Sequence, residues 1–352
     1  MKIDLLPHRK KINIYSLSTY LFSFMILGLF LNLMLISHFN SQNLNIPIME
    51  DQTGSLQQAG DVYDPQALEQ GQANHLPLAA AKEVSLPDFQ PPVRINSNSL
   101  GIQLTAQSAL AIDPATGTVL YEKNSDQRHS IASLTKLMTA LVFLENNPGW
   151  DKIVTMLQAD ERLGGRLNIY RGEKVTVEDL FYTGLIGSDN NAMAALARST
   201  GLSPEEFADL MNAKADSLKM NNSHFIEPTG LSPLNVSTAR DVLKLARAAF
   251  ADEKISEILR IKKYQFTSAS NISHTVYSTD LLLNSFLNAD PYQVVAGKTG
   301  FINEAGYCLT AQISHSEQNG EILAVVLGTT GHLNRFDEMK GLVSWVFDNY
   351  EF

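Results

Sequence analysis

A single cysteine, Cys308, stands in 352 residues, which excludes an intramolecular disulfide framework and a multi-cysteine metal site. Positive charge is scarce as well: 27 Lys and Arg face 37 Asp and Glu, a formal net charge of -10. No clustered Lys and Arg could grip a phosphate backbone, so no nucleic-acid partner is expected. The eight histidines fall into no H-E-x-x-H or other ligand spacing, and no glycine-rich nucleotide loop or internal repeat occurs. Neither a metal nor another cofactor is expected. With charged residues at 18% and hydrophobic ones at 44%, the chain is too apolar for disorder and long enough for a large core.

Ile14 to Ile36 carries no charged residue; as a helix it would measure about 35 Å, enough for a hydrocarbon layer of about 30 Å. Lys2, Arg9, Lys10 and Lys11 precede it, and no Lys or Arg follows until Lys82. This asymmetry predicts a cytoplasmic N-terminus, with everything after Ser37 outside. The run exceeds a usual signal-peptide core and "SHFNSQNLN" offers no A-x-A-like cleavage site, so an uncleaved single-pass anchor is expected. From His38 to about Ser97, Gln, Asn, Pro, Asp and Ser dominate without hydrophobic periodicity, which reads as a linker. The expected organisation is a cytoplasmic tail over 1–13, a membrane span over 14–36, a linker over 37–97 and one folded domain over 98–352.

Within that domain, "ALAIDPATGTVLYEK" reads as two short strands, Ala109 to Ile112 and Thr118 to Glu122, joined by a turn at Asp113, Pro114 and Gly117. From Ser133 to about Asn288 the spacing of apolar residues is mainly helical. Thr176 ahead of Asp179 and Ser203 ahead of Glu206 mark helix starts. Three further strand-like runs, "YQVVAGK", "GYCLTAQIS" and "EILAVVLGT", precede a last amphipathic helix, "RFDEMKGLVSWVFDNY". Strands at both ends and helices between predict an α/β chain of the α+β kind: one antiparallel five-stranded sheet with an inserted helical lobe.

Ser133 and Lys136 lie three residues apart at a predicted helix start, on one face. That pairs a nucleophile with a possible base. A lysine must be neutral to accept a proton, and from a reference pKa of about 10.4 that costs roughly 4 to 5 kcal/mol near pH 7. Burial in the apolar helix start and a second nearby cation would push in that direction. Two more stretches carry polar candidates: Ser188, Asp189 and Asn190 between two helical patterns, and Lys298, Thr299 and Gly300 at a strand end. Each alone also fits a helix cap or a turn. His129 and His224 read as structural or exposed.

The three motifs together, in this order, resemble the signature of class A β-lactamases and penicillin-binding proteins. More narrowly, the chain resembles the low-molecular-mass penicillin-binding proteins that are serine-type D-alanyl-D-alanine carboxypeptidases, from about Gln107 to Tyr350 and including "PTGLSPLNVSTARD" and "NRFDE". The resemblance implies the β-lactamase/transpeptidase-like fold. It implies an attack by Ser133 on peptidoglycan stem peptides ending in D-Ala-D-Ala, with Lys136 accepting the proton and Ser188 relaying one to the leaving group. Asn190 would hold a substrate amide, Lys298 would add positive charge, and Thr299 would bind the terminal carboxylate. Gly300 completes that motif, and the backbone N–H groups of Ser133 and Phe301 would receive the oxyanion. Arg335 would lie near the carboxylate pocket; a surface charge opening the last helix is the competing role. β-Lactams would act as inhibitors by trapping the acyl-enzyme, and the enzyme would work outside the cell membrane of a bacterium. Many such carboxypeptidases carry a further β-rich domain and a C-terminal anchor, whereas here two strands and a helix take up the residues after Gly300. Three alternatives stay open: a class A-like β-lactamase, for which Glu227 is the tempting water-activating residue, an endopeptidase cutting crosslinks, and a non-catalytic wall-binding protein.

Overall fold

In the strand Gly320–Thr329, Ile322, Ala324 and Val326 face one apolar cluster, and Leu323, Leu327 and Val325 face another. A strand with both faces buried needs a layer on each side, and the rest of the chain supplies them. The computed structural model describes residues 90–165 and 167–352. The tail, the span over 14–36 and nearly all of the linker lie outside the described residues. Among the described residues no helix is long and apolar enough to cross a membrane.

In chain order the strands are β1 (Val93–Arg94), β2 (Ser108–Ile112), β3 (Val119–Lys123), β4 (His129–Ser130), β5 (Ile153–Thr155), β6 (Lys174–Thr176), β7 (Val236–Ser237), β8 (Lys263–Thr267), β9 (Ser273–Tyr277), β10 (Tyr292–Ile302), β11 (Gly306–His315), β12 (Gly320–Thr329) and β13 (Tyr350–Glu351). The helices are α1 (Thr135–Glu145), α2 (Val177–Ile186), α3 (Asn190–Ser199), α4 (Pro204–Ser217), α5 (Ala239–Phe250), α6 (Glu253–Leu259) and α7 (Asn334–Asn349). The central sheet has the order β10-β11-β12-β2-β3 with antiparallel pairing throughout, so both chain ends build it as expected. The side chains of Phe336, Met339, Leu342, Val343 and Val346 on α7 cover one face. The other face packs against the lobe formed by α1 to α6.

Local chemistry sets the helix starts. Thr176 Oγ1 accepts from Asp179 N (3.1 Å), and Ser203 Oγ accepts from Glu206 N (3.2 Å) while Glu206 Oε2 accepts from Ser203 N (2.8 Å). Each satisfies donors that the first helical turn would leave unpaired. The segment read as mainly helical also holds small sheets, notably the β8–β9 hairpin, whose strands alternate exposed and more buried residues over only five positions each, too short a run to stand out from the helical spacing around it. Val93 and Arg94, assigned to the linker by composition, pair with Glu351 and Tyr350. The Lys298 motif stands inside β10 rather than at its end, since the strand runs on to Ile302. His129 is structural, its Nε2 2.8 Å from Ser108 Oγ, whereas His224 is exposed and pairs with Val236 through its backbone.

Candidate active site

Ser133 sits in a tight 3-10 turn, Ala132–Leu134, that runs directly into α1. The turn is strained, with Ala132 at φ +47°, a cost accepted at positions where geometry matters more than local comfort. It is held from outside by Gly230 (φ +81°), on which a Cβ would overlap the Ala132 carbonyl oxygen and stand 2.9 Å from Ser133 N. One helical turn on, Lys136 is fully buried. Its Nζ lies 2.8 Å from Ser133 Oγ, 2.6 Å from Asn190 Oδ1 and 2.6 Å from the Thr229 carbonyl oxygen.

Two of these partners are carbonyl oxygens that can only accept, because Asn190 Nδ2 donates to the Gly164 carbonyl (3.0 Å) and so fixes which end of the amide faces the lysine. A neutral amine has two N–H donors and one lone pair. With both donors taken by Asn190 and Thr229, the lone pair points at the Ser133 hydroxyl. Asn190 is placed by Asp189, which caps α3 through Ala192 N (2.9 Å) and also accepts from Asn168 N and Nδ2. Ser188, just before, adopts φ +55°. Its Oγ accepts from Lys298 Nζ at 2.8 Å.

Edge strand β10 closes the other side. Gly300 allows the approach: a Cβ there would come within 2.9 Å of the Ile131 carbonyl oxygen and 3.2 Å of Ser133 N. Thr299 Oγ1 is 2.6 Å from Thr279 Oγ1. Arg335, only 4% exposed, donates from Nη1 to the Gly300 carbonyl (2.9 Å) and lies over the rings of Tyr307 and Phe336. It is therefore not a surface charge. A cavity of about 260 Å³ is lined by Ser133, Ser188, Asn190, Thr299, Gly300, Phe301 and Arg335, with Lys136 and Lys298 reaching it through Ser133 and Ser188. A larger cleft, about 1060 Å³, lies around Tyr292 and His315 and contains none of these residues; the converging polar groups, not volume, mark the site.

The family model described as D-alanyl-D-alanine carboxypeptidase matches residues 93–331. The chain belongs to that family. A D-alanyl-D-alanine endopeptidase of Pseudomonas aeruginosa is 34% identical over 251 residues, covering 69% of this chain and 78% of that one. The D-alanyl-D-alanine carboxypeptidase DacF of Bacillus subtilis is 32% identical over 252 residues, covering 70% and 63%. The crystal structure of the Streptomyces K15 DD-transpeptidase superposes with a TM-score of 0.65 at 28% identity, covering 71% of this chain and 100% of that one.

The electrostatics of this D-alanyl-D-alanine carboxypeptidase family site follow from burial. Loss of water pushes Lys136 down to about 7, against the pull of Glu227 and Asp189. Burial, then the neighbouring Lys136 and Arg335, hold Lys298 well below an ordinary lysine, while Asp280 pulls it back up. No second cation is among the groups that lower Lys136, contrary to expectation; it is Lys298 that neighbouring cations push down.

For the loop around Glu227, sequence reasoning offered only a water-activating role in the β-lactamase alternative. Glu227 accepts from Gly230 N (2.6 Å), Thr229 N (2.7 Å) and Asn235 Nδ2 (2.9 Å). Its carboxylate is spent on shaping the turn that aims the Thr229 carbonyl at Lys136, which leaves no water-activating role for it. The stretch "PTGLSPLNVSTARD" holds Thr229, Gly230 and Asn235, with Glu227 just before it, and only the three-dimensional closure onto Ala132 assigns them.

Proposed function

We infer that this chain is a serine-type D-alanyl-D-alanine carboxypeptidase acting on peptidoglycan stem peptides. The observation that carries the reading is the hydrogen-bond set of Lys136, which leaves its lone pair for Ser133 at the mouth of a cavity with a cationic far side. Ser133 Oγ attacks the carbonyl between the two D-alanines as its proton passes to Lys136 Nζ. The N–H groups of Ser133 and Phe301 receive the oxyanion. The bond to the leaving D-alanine nitrogen breaks as that nitrogen takes a proton through Ser188, fed by Lys136 and Lys298. The acyl ester on Ser133 is then hydrolysed by water, with Lys136 again taking the proton.

Lys298, Thr299 and Arg335 form the end that receives the terminal carboxylate. Asn190 spends one Nδ2 hydrogen on Gly164 and keeps the second for a substrate carbonyl. β-Lactams stop at the ester because their leaving group stays tethered in the site. Incubation with a fluorescent penicillin and with a diacetylated tripeptide ending in D-Ala-D-Ala tests the reading. Label on Ser133 and free D-alanine support it, and labelling without D-alanine release refutes the carboxypeptidase activity.

A second reading, an endopeptidase that uses the same acylation on a crosslinked stem, is supported by the relative of that name, 78% of whose length is matched. Crosslinked muropeptide dimers separate the two. The same proposal puts the enzyme outside the cell membrane, anchored by 14–36 with the N-terminus in the cytoplasm, on the strength of the one-sided Lys and Arg pattern. A fused reporter that works only outside the cytoplasm is expected to be active when joined after Phe352.

A further inference from the structure

A second cavity, about 520 Å³, adjoins the one at Ser133: Gly165 lines both, and Asn191, which lines the second, directly follows Asn190. Its wall is the loop between β5 and β6, and that loop is tied to α3. Arg162 N donates to Asn191 Oδ1 (2.8 Å), the Gly164 carbonyl accepts from Asn190 Nδ2 (3.0 Å), and Asn168 N donates to Asp189 Oδ2 (2.8 Å). Arg198 on α3 grips the buried Asp160 through Nε and Nη2, both at 2.8 Å. The cavity is thus built on the helix that presents Asn190. A Cβ on Gly165 (φ +82°) would stand 2.6 Å from Asn190 Nδ2, so only bare backbone separates the two cavities. The walls carry two chemistries. Leu163, Leu167 and Tyr170 are exposed apolar surfaces, and beside them Arg171 is paired with Glu161, Nε to Oε1 at 2.9 Å and Nη2 to Oε2. Arg162, whose Nη1 donates to the Ala159 and Glu161 carbonyls (2.7 and 3.1 Å), adds a second positive charge. An exposed ion pair contributes little to stability. With both side chains about half exposed, each can turn its charge to a ligand.

We propose that this cavity is the subsite for the side chain of the stem residue preceding the D-alanines, and that it takes a long aliphatic chain ending in a free amino-acid group. The aliphatic part lies on Leu163, Leu167 and Tyr170; the terminal carboxylate meets Arg171 and Arg162, and the ammonium on the same carbon meets Glu161. The proposal rests on the function inferred above. With the terminal carboxylate of the substrate at Lys298, Thr299 and Arg335, and a carbonyl of the acyl part on Asn190, the preceding side chain reaches Gly165 and the cavity beyond it.

The test compares kcat/KM for D-alanine release from four acetylated tripeptides ending in D-Ala-D-Ala. Their first residue is acetyl-lysine, with the side-chain amine blocked, lysine with a free ammonium, aminopimelate with a free carboxylate, or diaminopimelate with both. The diaminopimelate peptide is expected to exceed the blocked one about tenfold, as two exposed charge contacts would give, with the singly charged peptides between. Arg171→Ala is expected to bring the diaminopimelate peptide down to the lysine one, and Glu161→Gln to bring it down to the aminopimelate one. Equal turnover of all four peptides by the unmodified chain overturns the proposal, and so does a variant that lowers all four alike, as a merely structural role would. A second measurement needs no variant: raising the ionic strength from about 0.05 to about 0.5 M is expected to shrink the tenfold preference to about twofold. A preference indifferent to salt overturns the assignment of charged contacts. Absence of D-alanine release from every peptide would instead sink the functional reading.

Discussion

The sharpest consequence of the site geometry is the pH dependence of Ser133 acylation. Burial moves Lys136 from 10.5 to about 7, which corresponds to roughly 5 kcal/mol of preference for the neutral amine. An ordinary lysine would be neutral in about three molecules per ten thousand at pH 7, whereas here about half are, so burial raises the supply of base on the order of a thousandfold. Acylation by a fluorescent penicillin, followed at limiting concentration, is expected to rise about tenfold between pH 6 and pH 8 with a midpoint near 7. The same shift sets a stability slope. The folded chain releases the proton at about 7 and the unfolded one holds it to about 10.5, so this group adds stability as pH rises through that window and removes it as pH falls. An acylation rate that is flat from pH 6 to 8, or that climbs only above pH 9, refutes the claim that a buried neutral lysine activates the serine.

Further outcomes follow from the groups around Lys136. Asn190→Asp sets a negative charge at the 2.6 Å contact and is expected to shift the acylation midpoint upward by about one to two pH units. Glu227→Gln removes a charge that raises the Lys136 value, so the midpoint should move to lower pH while the urea midpoint reports a loss of about 1 to 3 kcal/mol from weakened turn hydrogen bonds. Gly230→Ala drives a methyl into the Ala132 carbonyl at φ +81°; we expect a loss above about 2 kcal/mol in urea unfolding and little penicillin labelling. Phe301→Ala removes the ring stacked 4.2 Å from Tyr307 but keeps the N–H, so D-alanine release should change less than tenfold.

How much of this was readable before folding depends on the range of the interaction that fixes each residue. Ser133 with Lys136 and Thr176 with Asp179 are set by helix geometry three residues apart, and the alternation in Gly320–Thr329 by the strand pleat; short-range rules suffice for these. Arg335 could not be placed by such rules, because its burial depends on Gly300 and Tyr307, brought beside it only when the sheet assembles. The same holds for Thr229, whose contribution is a backbone carbonyl and therefore invisible in the identity of its side chain. The elements that were missed share one physical trait: their roles come from what the backbone does or from neighbours distant in sequence. Motif reading pairs Ser133 with Lys136 as the proposed nucleophile and base, and the environment that favours a neutral Lys136 has to be read from burial.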